Sequence, residues 1–236
     1  MQRRKNTFRF LATALLVLLP GLSAVTFAAD PPSKPNQNLP RVLLIGDSIS
    51  IGYTRPVTEL LKDKADVRRI PGNGQHTGTG LLKLDTWFGD ESWDVIHFNW
   101  GLWDLCYRHP DSKVQGNRDK VNGTVTMPLP QYERNLRELV KRLKATDARL
   151  IWASTTPVPE DEAGRIVGDA IKYNAVAAKI MKENGIAIDD LHAHILPRMH
   201  ELQTQPGNVH FKPEGYRLLA EKVADSILAE IEAAKK

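Results

Sequence analysis

The 236-residue chain carries 32 Lys and Arg against 28 Asp and Glu, a formal charge of +4, and a single cysteine, Cys106. Arg3, Arg4, Lys5 and Arg9 lie in the first nine residues and no acid precedes residue 29, so the excess charge belongs to the N-terminal segment and the remainder is neutral. That balance excludes nucleic acid or an anionic membrane surface as the expected partner, and a lone cysteine excludes an intrachain disulfide.

The basic start is followed by an apolar run from Phe10 to Leu19 and by small residues around Ala28. This is the layout of a secretory signal peptide spanning residues 1–28, and it predicts a secreted or periplasmic protein. The rival reading is an N-terminal membrane anchor extending to Ala29. Pro20-Gly21 breaks such a helix and favours cleavage, after which no stable membrane partner is expected. Residues 29–40, rich in Pro, Asn and Ser, read as a linker. Residues 41–236 are long enough for one domain with a sizeable core.

Arg41-Val42-Leu43-Leu44-Ile45 reads as a buried strand that runs into Gly46-Asp47-Ser48, with a helix to about Ala65. A serine at such a turn projects its hydroxyl beyond the sheet, beside the backbone N–H groups of a helix N-terminus. The plainer reading is that Ser48 only caps the helix. Asp66 to Ile70 is a second strand, and Pro71 to Gly80 a glycine-rich loop. That loop lacks both the Gly-Lys-Ser/Thr ending and the Gly-x-Gly-x-x-Gly fingerprint of nucleotide loops.

Asp94 to Asn99 is a third strand, ending in Trp100-Gly101. Cys106 to Pro130 is polar and irregular, the character of a site rim or lid. Leu129 to Thr146 has Leu136, Leu139, Val140 and Leu143 at helical spacing. Arg149 to Ser154 is a fourth strand, followed by Thr155. Glu160-Asp161-Glu162 reads as a solvated turn, Val167 to Asn184 as a helix and Gly185 to Ile188 as a fifth strand. His192 and His194 can suggest a metal, but they fall in a loop or short helix after Asp189-Asp190, and no metal site is expected. Asn208-Val209-His210 lies just before the last helix, Pro213 to Ala234.

Strands alternating with helices imply an α/β fold with a parallel sheet covered on both faces. Ligands of such sheets bind beyond the carboxyl ends of the strands. Ser48, the glycine-rich loop, Gly101 and Thr155 all fall at that edge, and a loop histidine at position 210 can reach it.

Taken together, these blocks resemble the SGNH/GDSL hydrolase superfamily, from Val42 to the C-terminus. Gly46-Asp47-Ser48 resembles its first block, Gly72-Asn73-Gly74 its second, Gly101-Leu102-Trp103-Asp104 its third, and Val209-His210-Phe211 with Pro213-Glu214-Gly215-Tyr216 its fifth. The resemblance implies a three-layer α/β/α sandwich of flavodoxin type and an esterase that needs no cofactor. It implies Ser48 as nucleophile, His210 as base, and the Ser48 and Gly74 N–H groups as oxyanion donors.

Two departures stand out. The third block's usual oxyanion asparagine is Trp103 here, with only an indole N–H, and Asn99 and Asn73 are further candidate donors. The usual aspartate three residues before the histidine is Gly207. The site is then a Ser48–His210 dyad, or is oriented or supported by Asn208, Asp47, Asp104 or Asn73, or by another acid such as Asp189 or Asp190. Trp100 or Trp103 can floor a sugar subsite.

The expected substrate is a small-molecule or glycan acyl ester, including O-acetyl groups on carbohydrate. The alternatives are a catalytically weakened carbohydrate-binding protein on the same fold, or a glycan acyltransferase. One distance carries the enzyme reading: about 2.6–3.2 Å between the Ser48 hydroxyl and a His210 ring nitrogen.

Overall fold

In a computed structural model of the protein, which describes residues 39–235, the five expected strand segments form one parallel sheet. The expected signal peptide and nearly all of the expected linker lie outside the described residues. The sheet strands are β1 (Arg41–Ile45), β2 (Asp66–Arg69), β3 (Val95–Phe98), β6 (Arg149–Ala153) and β7 (Ala187–Asp189), in the order β2-β1-β3-β6-β7. Leu43 lies opposite Ile96, and Ile96 opposite Leu150. Because β1 has neighbours reached by chain excursions in opposite directions, the switch point of the sheet lies beside it, at the edge where such folds place ligands.

The helices are α1 (Ser48–Leu60), α2 (Thr77–Phe88), α3 (Leu129–Lys144), α4 (Asp169–Asn184), α5 (Leu191–Ile195), α6 (Met199–Leu202) and α7 (Pro213–Ala233). They fall into two contacting groups: α1, α5 and α6 with α7, and α2, α3 and α4 in a row. These are the two outer layers of the α/β/α sandwich expected from the sequence. The α1–α7 contact is close: a Cβ added at Gly52 would lie 2.1 Å from the Tyr216 ring. No helix among the described residues is long and apolar enough to cross a membrane.

Three local differences from the sequence reading have physical causes. First, the glycine-rich stretch is not loop throughout, since α2 begins at Thr77. Its exposed backbone donors are met from elsewhere: His76 Nδ1 accepts from the Thr79 N–H at 3.3 Å, and Asp104 Oδ1 accepts from the Thr77 N–H at 2.9 Å. Second, Gly185 ends α4 in the left-handed conformation (φ 66°) and does not begin the fifth strand. Third, the irregular segment after Cys106 contains an antiparallel pair, β4 (Tyr107–Arg108) with β5 (Thr124–Val125), extended by a bridge between Arg108 and Arg118.

Candidate active site

Ser48 is the first residue of α1, and the turn that delivers it is held from two sides. Asp47 caps the helix, its Oδ1 accepting from the Ile49 N–H at 2.9 Å. Burial pushes the Asp47 carboxyl above its ordinary value, opposed by that N–H and by the charges of Arg165 and Arg69. Arg69, at the end of β2, donates to Gly46 O at 2.9 Å, to Ser50 Oγ at 3.0 Å and to Gly72 O at 2.6 Å. One guanidinium thus ties the turn that carries Ser48 to the glycine-containing loop. Nothing local in the sequence signals this, because the partners are two carbonyls and a hydroxyl contributed by separate segments.

His210 reaches Ser48 across the sheet edge. Its loop is clamped by the Thr204 N–H donating to His210 O at 2.9 Å and the Lys212 N–H donating to Leu202 O at 2.7 Å. His210 Nε2 and Ser48 Oγ are 2.8 Å apart. On the other side of the ring, Nδ1 lies 2.8 Å from Asn208 Oδ1, which also accepts from the His210 backbone N–H at 3.0 Å. An amide oxygen can only accept, so Nδ1 carries the proton in neutral imidazole and Nε2 presents a lone pair to the serine hydroxyl. Burial lowers the His210 pKa, and the neighbouring charges of Arg165 and Arg118 lower it further, which favours the neutral base.

Asn208 is therefore the residue that meets the imidazole. Gly207 cannot be an ordinary aspartate: its φ is +72°, and an added Cβ would lie 2.9 Å from Asp161 O. The other acids considered are engaged elsewhere. Asp104 is buried and holds Thr77 through its N–H at 2.9 Å and its hydroxyl at 2.6 Å, and burial pushes its carboxyl up to about 7. Asp189 lies 3.0 Å from His97 in the core, while Asp190 accepts from the Ser154 hydroxyl at 2.8 Å.

The expected oxyanion donors separate into two sets. The Gly74 N–H donates to Gly46 O at 2.9 Å, so in this geometry it is engaged. The Asn99 amide likewise donates to Ala153 O at 2.7 Å and joins β3 to β6. The other three, the Ser48 N–H, the Asn73 Nδ2 group and the Trp103 indole N–H, belong to residues lining one cavity and have no partner among the described residues. Asn73 Oδ1 accepts from the Gln75 N–H at 2.8 Å, which steadies the side chain.

Ser48 and His210 open into a cavity of about 310 Å³, walled by Trp103, Arg108, Arg118 and Arg165. Trp103 is partly exposed there, with Arg108 stacked over its ring at 4.6 Å. Trp100 is instead wholly buried and cannot floor a subsite. The segment after Cys106 does contribute to the rim, through Arg108, Gln115 and Arg118.

Glu162 is not part of a solvated turn. It is fully buried, and its Oε1 accepts from Arg165 at 2.9 Å and from Arg118 at 2.5 Å. These arginines are the site residues the sequence reading missed. They are scattered over two segments of ordinary polar composition, and only folding assembles them. His192 and His194 sit on α5 apart from this cavity's lining, and among the described residues no cluster of His, Cys, Asp or Glu could hold a metal ion.

A family model described as the GDSL-like lipase/acylhydrolase family matches residues 44–218. Among solved structures, a lipase/acylhydrolase from Enterococcus faecalis is 17% identical, with a TM-score of 0.66, covering 80% of this chain and 96% of that one. An acetyl xylan esterase is 20% identical, with a TM-score of 0.63 and coverage of 79% and 99%. A second acetyl xylan esterase, from Geobacillus stearothermophilus, is 18% identical, with a TM-score of 0.62 and coverage of 81% and 94%. At these identities the structural likeness speaks for the fold. No curated protein matches the chain.

Proposed function

Because this chain belongs to the GDSL-like lipase/acylhydrolase family and is an ester hydrolase, we propose that it is an exported serine esterase that removes small acyl groups, such as O-acetyl, from carbohydrate. The observation that carries the reading is the 2.8 Å contact between Ser48 Oγ and His210 Nε2 at the mouth of a cavity. The basic and apolar character of residues 1–28 supports export to the periplasm or the medium. Likeness to two acetyl xylan esterases supports an acylated glycan as substrate.

Ser48 Oγ attacks the ester carbonyl carbon while its proton passes to His210 Nε2. The developing oxyanion is held by the Ser48 N–H, with Asn73 Nδ2 and the Trp103 indole N–H as further free donors in the same cavity lining. The tetrahedral intermediate expels the alcohol, which takes the proton from His210. Water, deprotonated by the same nitrogen, then cleaves the acyl-serine and releases the acid.

Asn208 keeps the imidazole in the right tautomer but offers the imidazolium no countercharge. This observation favours the second reading, a catalytically weakened glycan binder. A fluorophosphonate probe separates the two, since it labels only an activated serine. Labelling of the wild type that is lost in Ser48→Ala and His210→Ala, together with loss of p-nitrophenyl acetate turnover, is expected. An unlabelled wild type that still binds a xylan oligosaccharide would favour the binder, and undiminished turnover in either variant would overturn the assignment. Acyl transfer to a sugar acceptor is the third outcome, read as acylated acceptor in place of free acid.

A further inference from the structure

Resting on the esterase reading, we propose that the cavity recognises an ester whose alcohol part carries an anionic oxygen group, a carboxylate or a sulfate, through Arg108, Arg118 and Arg165.

Three guanidinium groups share one cavity of about 310 Å³ with the nucleophile, near the lower end of small-ligand sites. Arginine does not lose its charge at any working pH, so the cavity wall carries three fixed positive charges. Only Glu162, buried behind the wall, is paired with them, and it serves two of the three. The sole carboxylate in the lining is Asp47, and it is buried and engaged by the Ile49 N–H. Positive charge at the wall therefore exceeds negative charge however Asp47 is protonated.

The guanidinium groups are also held in place without using all their donors. Arg165 uses Nε on Leu102 O at 2.7 Å and Nη1 on Glu162. Arg118 uses Nε on Gln115 O at 3.0 Å and Nη1 on Glu162, while Arg108 uses Nη1 on Gly116 O. Each retains an Nη2 group with no partner among the described residues. Arg165 is nearly inaccessible to solvent elsewhere, at 5% exposure. Arg165 and Arg118 thus each keep one Nη2 group to donate to an anionic oxygen, and Arg108 keeps the Nε–Nη2 edge that matches the planar, two-oxygen face of a carboxylate or sulfate. The hydroxyls of a neutral sugar can accept from these donors, but they leave the excess positive charge of the wall unbalanced, which an anionic group does not.

The test uses the full chain carrying Ser48→Ala, so that binding is read without turnover. Isothermal titration compares methyl glucuronide, a glucose sulfate ester and methyl glucoside. At least one acidic probe should bind about tenfold or more tightly than the neutral glucoside. That preference should weaken as salt rises. Adding Arg118→Gln should reduce it, and Arg118→Lys should restore part of it. The tighter acidic probe identifies the anion. Equal affinities for the three sugars, or no binding of either acid whether or not the glucoside binds, overturns the proposal. Salt dependence in the Ser48→Ala chain decides the matter even if an arginine variant fails to fold. Wild-type p-nitrophenyl acetate turnover is measured separately, so loss of the esterase reading and loss of this one are distinguishable. A loss in Arg118→Gln that falls equally on neutral esters would assign the guanidinium to the reacting carbonyl and also overturn it.

Discussion

Two imidazoles in this protein are each paired with a side-chain oxygen, and they do different things. His97, in the middle of β3, lies 3.0 Å from Asp189 at the end of β7, with both side chains fully buried. The Tyr53 ring meets the His97 imidazole edge-on, with centroids 6.2 Å apart. His210, by contrast, sits at the sheet edge with an amide at Nδ1 and a serine hydroxyl at Nε2. The imidazole–carboxylate pair that a serine triad commonly uses is thus present in the core, where no nucleophile meets it. The proposed site instead has an amide partner. Pairing with a carboxylate does not make a site; a hydroxyl at a helix N-terminus and an opening to substrate do.

The sharpest way to break the comparison is to remove the nucleophile. Ser48→Ala should lower kcat/KM for p-nitrophenyl acetate by about 10⁴-fold or more, with thermal stability nearly unchanged. Residual activity close to wild type would place the chemistry elsewhere.

The core pair should respond in the opposite sense. Asp189→Ala leaves the His97 ring buried without its partner, and it should cost about 3 kcal/mol of unfolding free energy in urea titrations. Turnover per folded molecule should stay at the wild-type level. A catalytic loss without a stability loss would contradict the division of labour drawn here.

Charge at the site partner is the next test. Asn208→Asp retains an oxygen that can accept from His210 N–H and Nδ1–H, and it adds the countercharge that the imidazolium lacks. Turnover should rise by about tenfold. A fall would mean that the amide is tuned to the surrounding arginines, and that a carboxylate there is drawn onto Arg165 or Arg118.

The contrast also shows what a linear reading can reach. The buried strands and the helices α3, α4 and α7 follow from apolar spacing, which is a local property. The same holds for Ser48 and His210, because a strand-to-helix turn and a loop before the last helix are recognisable in place. Pairings across the fold are not local. Arg118 and Glu162 are joined across 44 residues of sequence, and the start of α2 is fixed by Asp104, 27 residues on. Whether Gly207 or Asn208 faces the imidazole depends on the Asp161 carbonyl packed against residue 207. Whether Gly74 is a free donor depends on where Gly46 O ends up, and neither leaves a trace in composition or spacing.

The finest difference between the two imidazoles lies in their response to pH. Burial and then the charges of Arg165 and Arg118 hold His210 below the ordinary histidine value of 6.5. In the proposed mechanism the neutral ring is the base, so activity should persist below that value and be lost as pH falls through the depressed pKa and Nε2 takes up a proton. The acidic limb of kcat/KM should therefore have its midpoint below 6.5. Arg118→Gln removes one of the repelling charges, so protonation becomes easier and the limb should move to higher pH. Asn208→Asp should move it the same way, by attraction to the imidazolium in place of relief from repulsion. If the Arg118→Gln limb stays where the wild type has it, burial and Arg165 set the His210 pKa, and Arg118 does not act on the base.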